Sequence, residues 1–155
     1  MPFSLRTMTR RDLPAVLAIS QQHGVGEASQ LAAFRRRLVA LLGPRDRGVA
    51  LVGVDEEGRV VGYLAGEVHL WEFGSAAAGW IFAVGVDRRV EGQGLGSALR
   101  AKAIERFARR RITTVRTMVR KDDVAVLRFF RSGGFHAGPY VELELDLGPP
   151  IQERR

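Results

Sequence analysis

Residues 86–100, VDRRVEGQGLGSALR, constrain this chain more than any other stretch. An apolar run over 80–86 reads as a buried strand and leads into three glycines at alternate positions, Gly92, Gly94 and Gly96. An amphipathic helix pattern starts directly after them. Glycine lets the backbone approach a ligand closely and take dihedrals closed to other residues. A helix N-terminus adds unpaired N–H groups and a partial positive charge. Strand, glycine loop and helix together predict an anion cradle, for a phosphate or a pyrophosphate.

The spacing sets aside two familiar cradles. A P-loop requires G-x-x-x-x-G-K-[ST], yet the fifth residue after Gly92 is Ser97 and no Gly-Lys pair follows. A dinucleotide fingerprint, G-x-G-x-x-G, would place Ser97 at its third glycine when read from Gly92, and Leu99 when read from Gly94. That fingerprint also opens its fold, whereas this loop lies past the middle of the chain.

The rest of the sequence reads as one continuous αβ domain without linker or repeat. Residues 4–8 form a short first strand, and Thr9-x-x-Asp12 starts a helix with apolar positions at Leu13, Val16, Leu17 and Ile19. Residues 31–42 predict a second helix, ended by Gly43-Pro44. Runs 49–54 and 60–68 flank Glu56-Glu57-Gly58-Arg59 as a hairpin. The buried strand spans 79–86, the cradle helix 95–107, and a further strand 112–119. Asp122-Asp123 cap a short helix through Phe130, which Gly133-Gly134 end. Residues 140–147 alternate (Val141, Leu143, Leu145, Leu147) as a last, half-exposed strand.

With 155 residues, the chain is long enough to bury a full core without staples. It has no cysteine, which excludes disulfides, thiolate metal sites and cysteine nucleophiles. His23, His69 and His136 have no metal-ligand spacing. No apolar run approaches membrane-spanning length, and residues 1–10 lack the apolar core of a signal peptide, so the cytoplasm is the expected location. The formal charge is +7, and only Lys102 and Lys121 among the basic residues are not Arg. Arg35-Arg36-Arg37 and Arg109-Arg110-Arg111 could be nucleic-acid patches, but solvated helix faces are the commoner origin of such runs.

The register Glu91-Gly92-Gln93-Gly94-Leu95-Gly96 resembles the acyl-CoA signature [Q/R]-x-x-G-x-[G/A] of the GNAT superfamily of N-acetyltransferases, with Glu91 in place of Arg or Gln. Residues 122–135, DDVAVLRFFRSGGF, are similar to that family's N-x-x-A-x-x-x-Y-x-x-x-G-F, with Asp123 for Asn, Val126 for Ala and Phe130 for Tyr. The resemblance implies a mixed α/β fold, a mostly antiparallel sheet of six to seven strands flanked by about four helices. It implies one domain over 1–148 with a frayed tail over 149–155. Acetyl-CoA would be the cosubstrate, without a metal, and the acceptor an amine on a small molecule, peptide or protein. Transfer would be direct, in a ternary complex. No membrane is implied, nucleic acid is not the expected partner, and a homodimer is compatible with the pattern. A non-catalytic acyl-CoA-binding regulatory module is the alternative.

By the same resemblance, the main chain at Val84, Gly85 and Val86 would face the pantetheine and thioester. Glu91, Gly92, Gln93, Gly94, Leu95, Gly96 and Ser97 would grip the pyrophosphate, with Asp123 and Phe130 contributing from the later helix. Gly85 suits a bulge or close ligand approach, or simple relief of crowding. Many relatives carry an acid where this chain has Phe82. The nearest ionisable candidates are Glu67 and His69, with Glu72 beyond. Glu67 and His69 stand two apart, so on a strand they share a face, as a proton relay or an amine-binding pocket, or as the solvent side of an edge hairpin. Trp71, Phe73 and Trp80 are candidates for an acceptor pocket or for core, and Tyr140 for a phenol near the thioester.

Overall fold

The computed structural model describes residues 2–45 and 47–150. Strand β1 (Ser4–Thr7) leads into a 3-10 turn, Arg10–Asp12, and helix α1 (Leu13–Gln22). Asp12 fixes that corner. Its Oδ2 accepts from the Thr9 N–H at 2.7 Å, and its two oxygens take the Arg6 guanidinium at 2.7 and 2.8 Å. Helix α2 (Ala28–Leu41) follows, then the hairpin of β2 (Gly48–Val54) and β3 (Val60–His69). Strand β4 (Ala78–Val86) delivers the chain to the cradle and helix α3 (Leu95–Arg109); β5 (Val115–Thr117) and α4 (Val124–Ser132) complete the fold.

The five strands lie in chain order, antiparallel throughout except where β5 runs parallel to β4. Period-two alternation sends side chains to both faces of the sheet, so each face carries its own core. Leu13, Val16 and Leu38 of α1 and α2 pack on Val52, Tyr63 and Ala65. Leu95, Leu99 and Phe107 of α3 pack on Leu51, Leu64 and Ile81 from the opposite side. A Cβ at Gly62 would lie 2.8 Å from a Leu95 methyl, so glycine is what lets the first turn of α3 rest on the sheet.

Three expectations from sequence are corrected. The sheet has five strands, not six or seven. Residues 140–147 pair with no strand among the described residues, and Val141, Leu143, Leu145 and Leu147 are 79–88% exposed. Alternation says which side chains share a face, but it supplies no partner strand. The strand expected over 112–119 shrinks to Val115–Thr117, because β4 bulges at Phe82: Ala65 pairs with Ala83 and Gly66 with Ile81, leaving Phe82 unopposed. Pairing with β5 stops at Ile81, where the bulge begins. The bulge is therefore at Phe82 rather than Gly85, whose bareness accommodates the Tyr63 ring; a Cβ there would sit 2.7 Å from it. Of the expected tail, residues 151–155 lie outside the described residues. No described helix is long and apolar enough to cross a membrane.

Candidate functional site

The cradle is built from main chain. Gly92 and Gly94 take φ of +77° and +85°, a region that costs other residues about 1–2 kcal/mol, and Gly94 is the N-cap of α3. The first bond of the helix is Ala98 N–H to the Gly94 carbonyl at 3.0 Å. The six N–H groups of residues 92–97 therefore have no acceptor among the described residues. Nothing lies within 4 Å of the Cβ positions at Gly92 and Gly94, so this row of donors borders open space. The donor row and the positive end of a 15-residue helix suit a diphosphate.

Beyond Ile81 the outer edge of β4 has no partner strand among the described residues on its way to the cradle. The Asp87 N–H donates to the Val61 carbonyl at 2.8 Å, which fixes the alternation of the β3–β4 ladder. Gly85 then bonds to β3, while the N–H and C=O of Val84 and Val86 turn away from it. With β5 ended at Thr117, no strand meets them there. His23, at the end of α1, reaches the Val86 carbonyl with Nε2 at 2.7 Å. A carbonyl only accepts, so Nε2 carries the proton. Gln22 ties the same corner down, accepting from the Arg88 N–H at 2.9 Å. Buried Asp87 accepts from Arg89 and holds the loop after β4; those hydrogen bonds keep its carboxyl well below the usual carboxylate range despite burial.

A polar cluster occupies the other end of the β3–β4 pair. Glu67 Oε1 accepts from the Arg37 guanidinium at 2.6 Å and lies 3.1 Å from His69 Nε2, while His69 Nδ1 lies 2.5 Å from Glu72 Oε1. Glu67 Oε2 has no partner among the described residues. Partial burial raises the Glu67 pKa, but hydrogen bonds from His69 and Arg37 outweigh it and leave the carboxyl below its ordinary value. The Trp80 ring stacks on His69 at 5.7 Å, and its indole N–H is buried without an acceptor. Arg37 also lies 3.8 Å over the Phe82 ring. One guanidinium thus joins Glu67 to the bulge residue of β4. An open depression of about 530 Å³, bordered by Arg47, Glu67, His69, Trp71 and Glu72, gives access from solvent.

The family model of the acetyltransferase (GNAT) family matches residues 16–135, which take in the cradle, the bulged strand and α4. This chain belongs to that family. Among curated relatives, the mycothiol acetyltransferase of Kocuria rhizophila is 37% identical over 90 residues, covering 57% of this chain and 30% of that protein. The one from Mycobacterium avium is 39% identical over 88 residues, covering 52% and 27%. The match thus spans less than a third of those proteins' length. The fold agrees with an aminoglycoside N-acetyltransferase, AAC(6')-Iy, solved with CoA: the TM-score is 0.79 at 13% identity, covering 94% of this chain and 95% of that one. A transcriptional regulator from Bacillus halodurans superposes with a TM-score of 0.76 at 22% identity, covering 94% and 99%.

Placed on this GNAT fold, the residues singled out from sequence separate into groups. Gly92, Gln93, Gly94, Gly96 and Ser97 line the donor row, and Leu95 adds its N–H while its side chain is core. Glu91 is exposed and turns toward His23, 3.9 Å from Nε2. Val84 and Val86 turn their main-chain groups away from β3, whereas Gly85 is spent on Tyr63. Asp123 accepts from the Val126 N–H at 3.0 Å as the cap of α4. Phe130 is 5% exposed and packs edge-on against Phe129 and Phe135. Glu67 and His69 share a face and touch. Trp71 and Phe73 are exposed, and Tyr140 sits beside Phe73 and Arg116. Sequence reading missed Arg37 and His23. Arg37 sits one residue before the buried Leu38 and three after Phe34, at the border of the packed stripe of α2, a pattern visible in sequence. His23 gave no such signal.

Proposed function

We propose that this chain transfers the acetyl group of acetyl-CoA to a primary amine by direct attack in a ternary complex. The observation that carries the reading is the run of six main-chain N–H groups, residues 92–97, without acceptors at the start of α3. Those donors hold the pyrophosphate, and the outward main chain of Val84 and Val86 flanks the pantetheine. Acetyl-CoA supplies an activated thioester. The acceptor enters from the depression beside Glu67, where the free Oε2 binds its ammonium form. His69, held between Glu67 and Glu72, relays the amine's proton to solvent.

Phe82 occupies the place where many relatives carry an acid. Arg37 bridges Phe82 to Glu67, so the carboxylate on β3 stands in for one on β4. The open Oε2 of Glu67 at the entrance suits a cationic amine. The names of the relatives, mycothiol acetyltransferase and aminoglycoside N-acetyltransferase, also support a small-molecule acceptor. The test is release of free CoA thiol from acetyl-CoA across a panel of amino sugars, polyamines and peptide N-termini, with thermal melting in CoA run alongside. A ligand that binds only the folded state raises the melting temperature by mass action. A melting shift with no thiol release on any amine would favour the non-catalytic module; no shift at millimolar CoA would sink both.

A further inference from the structure

We propose that the acceptor carries a carboxylate as well as its amine, as an amino acid does, and that Arg116 binds this carboxylate. The assignment rests on acetyl transfer to an amine and narrows the acceptor. The strand register sets three side chains in one row across the sheet. Glu67 of β3 pairs with Trp80 of β4, and Trp80 pairs with Arg116 of β5. Residues directly opposed on neighbouring strands project to one face. That face is the one opposite α3, because Ile81 and Val115, the chain neighbours of Trp80 and Arg116, pack in the core beneath α3. With strands about 4.8 Å apart, the Cα atoms of Glu67 and Arg116 stand roughly 10 Å apart, with Trp80 between them.

The two ends of the row carry opposite charge, and each is incomplete. Glu67 keeps Oε2 free, and Arg116 meets no carboxylate among the described residues. Arg6, Arg37, Arg59 and Arg89, by contrast, each meet one at 2.6–2.8 Å. The Arg116 guanidinium is partly buried and held by neutral groups. Nη2 donates to Ser75 Oγ at 3.1 Å, and Cζ lies 5.2 Å over the Tyr140 ring, a contact that uses no N–H. Withdrawing a cation from water without an anion is unfavourable, and the remaining donors of the planar fork match the edge of a carboxylate.

One turn fixes both ends. Glu72 and Ser75 bridge each other across Phe73 and Gly74, whose φ values are +49° and +72°. Glu72 holds His69 beside Glu67, and Ser75 holds Arg116. A ligand spanning acid and guanidinium therefore meets a preset spacing. The anion it supplies is not one of the CoA phosphates. Those belong at the cradle, and Trp80 stands at the far end of β4 from Val86, roughly 20 Å away. Pantetheine and thioester carry no negative charge.

The test compares each common amino acid with its own carboxamide, which keeps the amine and loses the carboxylate. For the wild type, kcat/KM for thiol release should be about 10–100-fold higher with the amino acids that serve, the ratio expected of a charged hydrogen-bonded pair. Arg116→Gln should remove that preference by raising KM for the amino acid while leaving the carboxamide within about twofold, and Arg116→Lys should recover part of it. An unchanged melting shift with CoA in both variants shows that fold and cradle survive. Calorimetry of the same pairs in saturating CoA separates this proposal from acetyl transfer itself. If no amine releases thiol, transfer fails, yet amino-acid binding that is lost in Arg116→Gln upholds the carboxylate site. Equal use of acid and amide, a preference that survives Arg116→Gln, or no amino acid bound at all overturns the proposal. So does better use of phosphoethanolamine than of β-alanine, which would make the anion a phosphate.

Discussion

The two ends of the β3–β4 pair are built from different materials. At the cradle, the open polar groups are main-chain N–H donors from six consecutive residues, and their geometry is set by glycine dihedrals and by the start of α3. At the far end they are side chains from three separate elements: Arg37 of α2, Glu67 and His69 of β3, and Glu72 of the following loop. Main chain cannot be substituted away and does not titrate, which suits a cosubstrate of fixed structure. Side chains can be exchanged one at a time, which suits an acceptor that differs between relatives. The cradle should therefore be sensitive to backbone changes and blind to pH, and the cluster the reverse.

The harshest way to break that contrast is Gly94→Glu. Left-handed strain of about 1–2 kcal/mol, added to the loss of charged-acceptor hydrogen bonds of about 1.5–3 kcal/mol, predicts a loss of CoA affinity of about 10²- to 10⁴-fold by calorimetry. Gly94→Asn isolates the backbone contribution, because Asn tolerates φ near +85° and caps helices well. It should retain most of the affinity. If Asn proves as damaging as Glu, charge at the cradle is not what matters and the donor row is misread.

Glu67→Gln probes the other end, and a smaller effect is expected. Turnover should fall about 10–100-fold, toward the low end of acid–base contributions, with CoA affinity unchanged within about twofold. The pH profile sharpens the point. The Glu67 pKa is lowered by His69 and Arg37, so the group is ionised above its ordinary value and stays so as pH falls, until its depressed folded value is passed. Any stability it lends is present near neutrality and lost only in acid. An acid limb of turnover near neutrality would therefore not belong to Glu67, and Glu67→Gln should lower the plateau without changing the profile there. A limb near neutrality that disappears in Glu67→Gln would overturn that reading.

The same division of materials decided what could be read from sequence. The cradle is one unbroken segment, so glycine spacing and the onset of helical period were enough to single it out, although not to show that the Leu95 side chain is core. Glu67 and His69 were found because two residues on one strand share a face. Arg37 lies thirty positions from Glu67, and His23 sixty-three from Val86; only the folded sheet brings them together. The bulge fell at Phe82 instead of Gly85 because a register shift depends on two strands, and Gly85 was answering Tyr63 across the ladder. The strand expected over 140–147 failed for a related reason: its alternation is complete, but alternation alone names no partner strand.

His23 lies where the contrast is least clean, a side chain acting on a main-chain group, and it should give the smallest effect. Its Nε2 proton engages the Val86 carbonyl at 2.7 Å beside the cradle, and the ring is about one-third exposed. A hydrogen bond of this kind contributes about 0.5–1.5 kcal/mol, so His23→Ala should weaken CoA binding about 2–12-fold. His23→Gln places an amide N–H at a similar reach and should recover most of the loss. Acceptor KM should be unchanged in both, because no contact joins His23 to Glu67, His69 or Glu72. The discriminating measurement is acceptor KM in His23→Ala at saturating acetyl-CoA. If it rises as far as the CoA dissociation constant does, the end of α1 serves both substrates, and the separation between a main-chain cradle and a side-chain acceptor site does not hold at that corner.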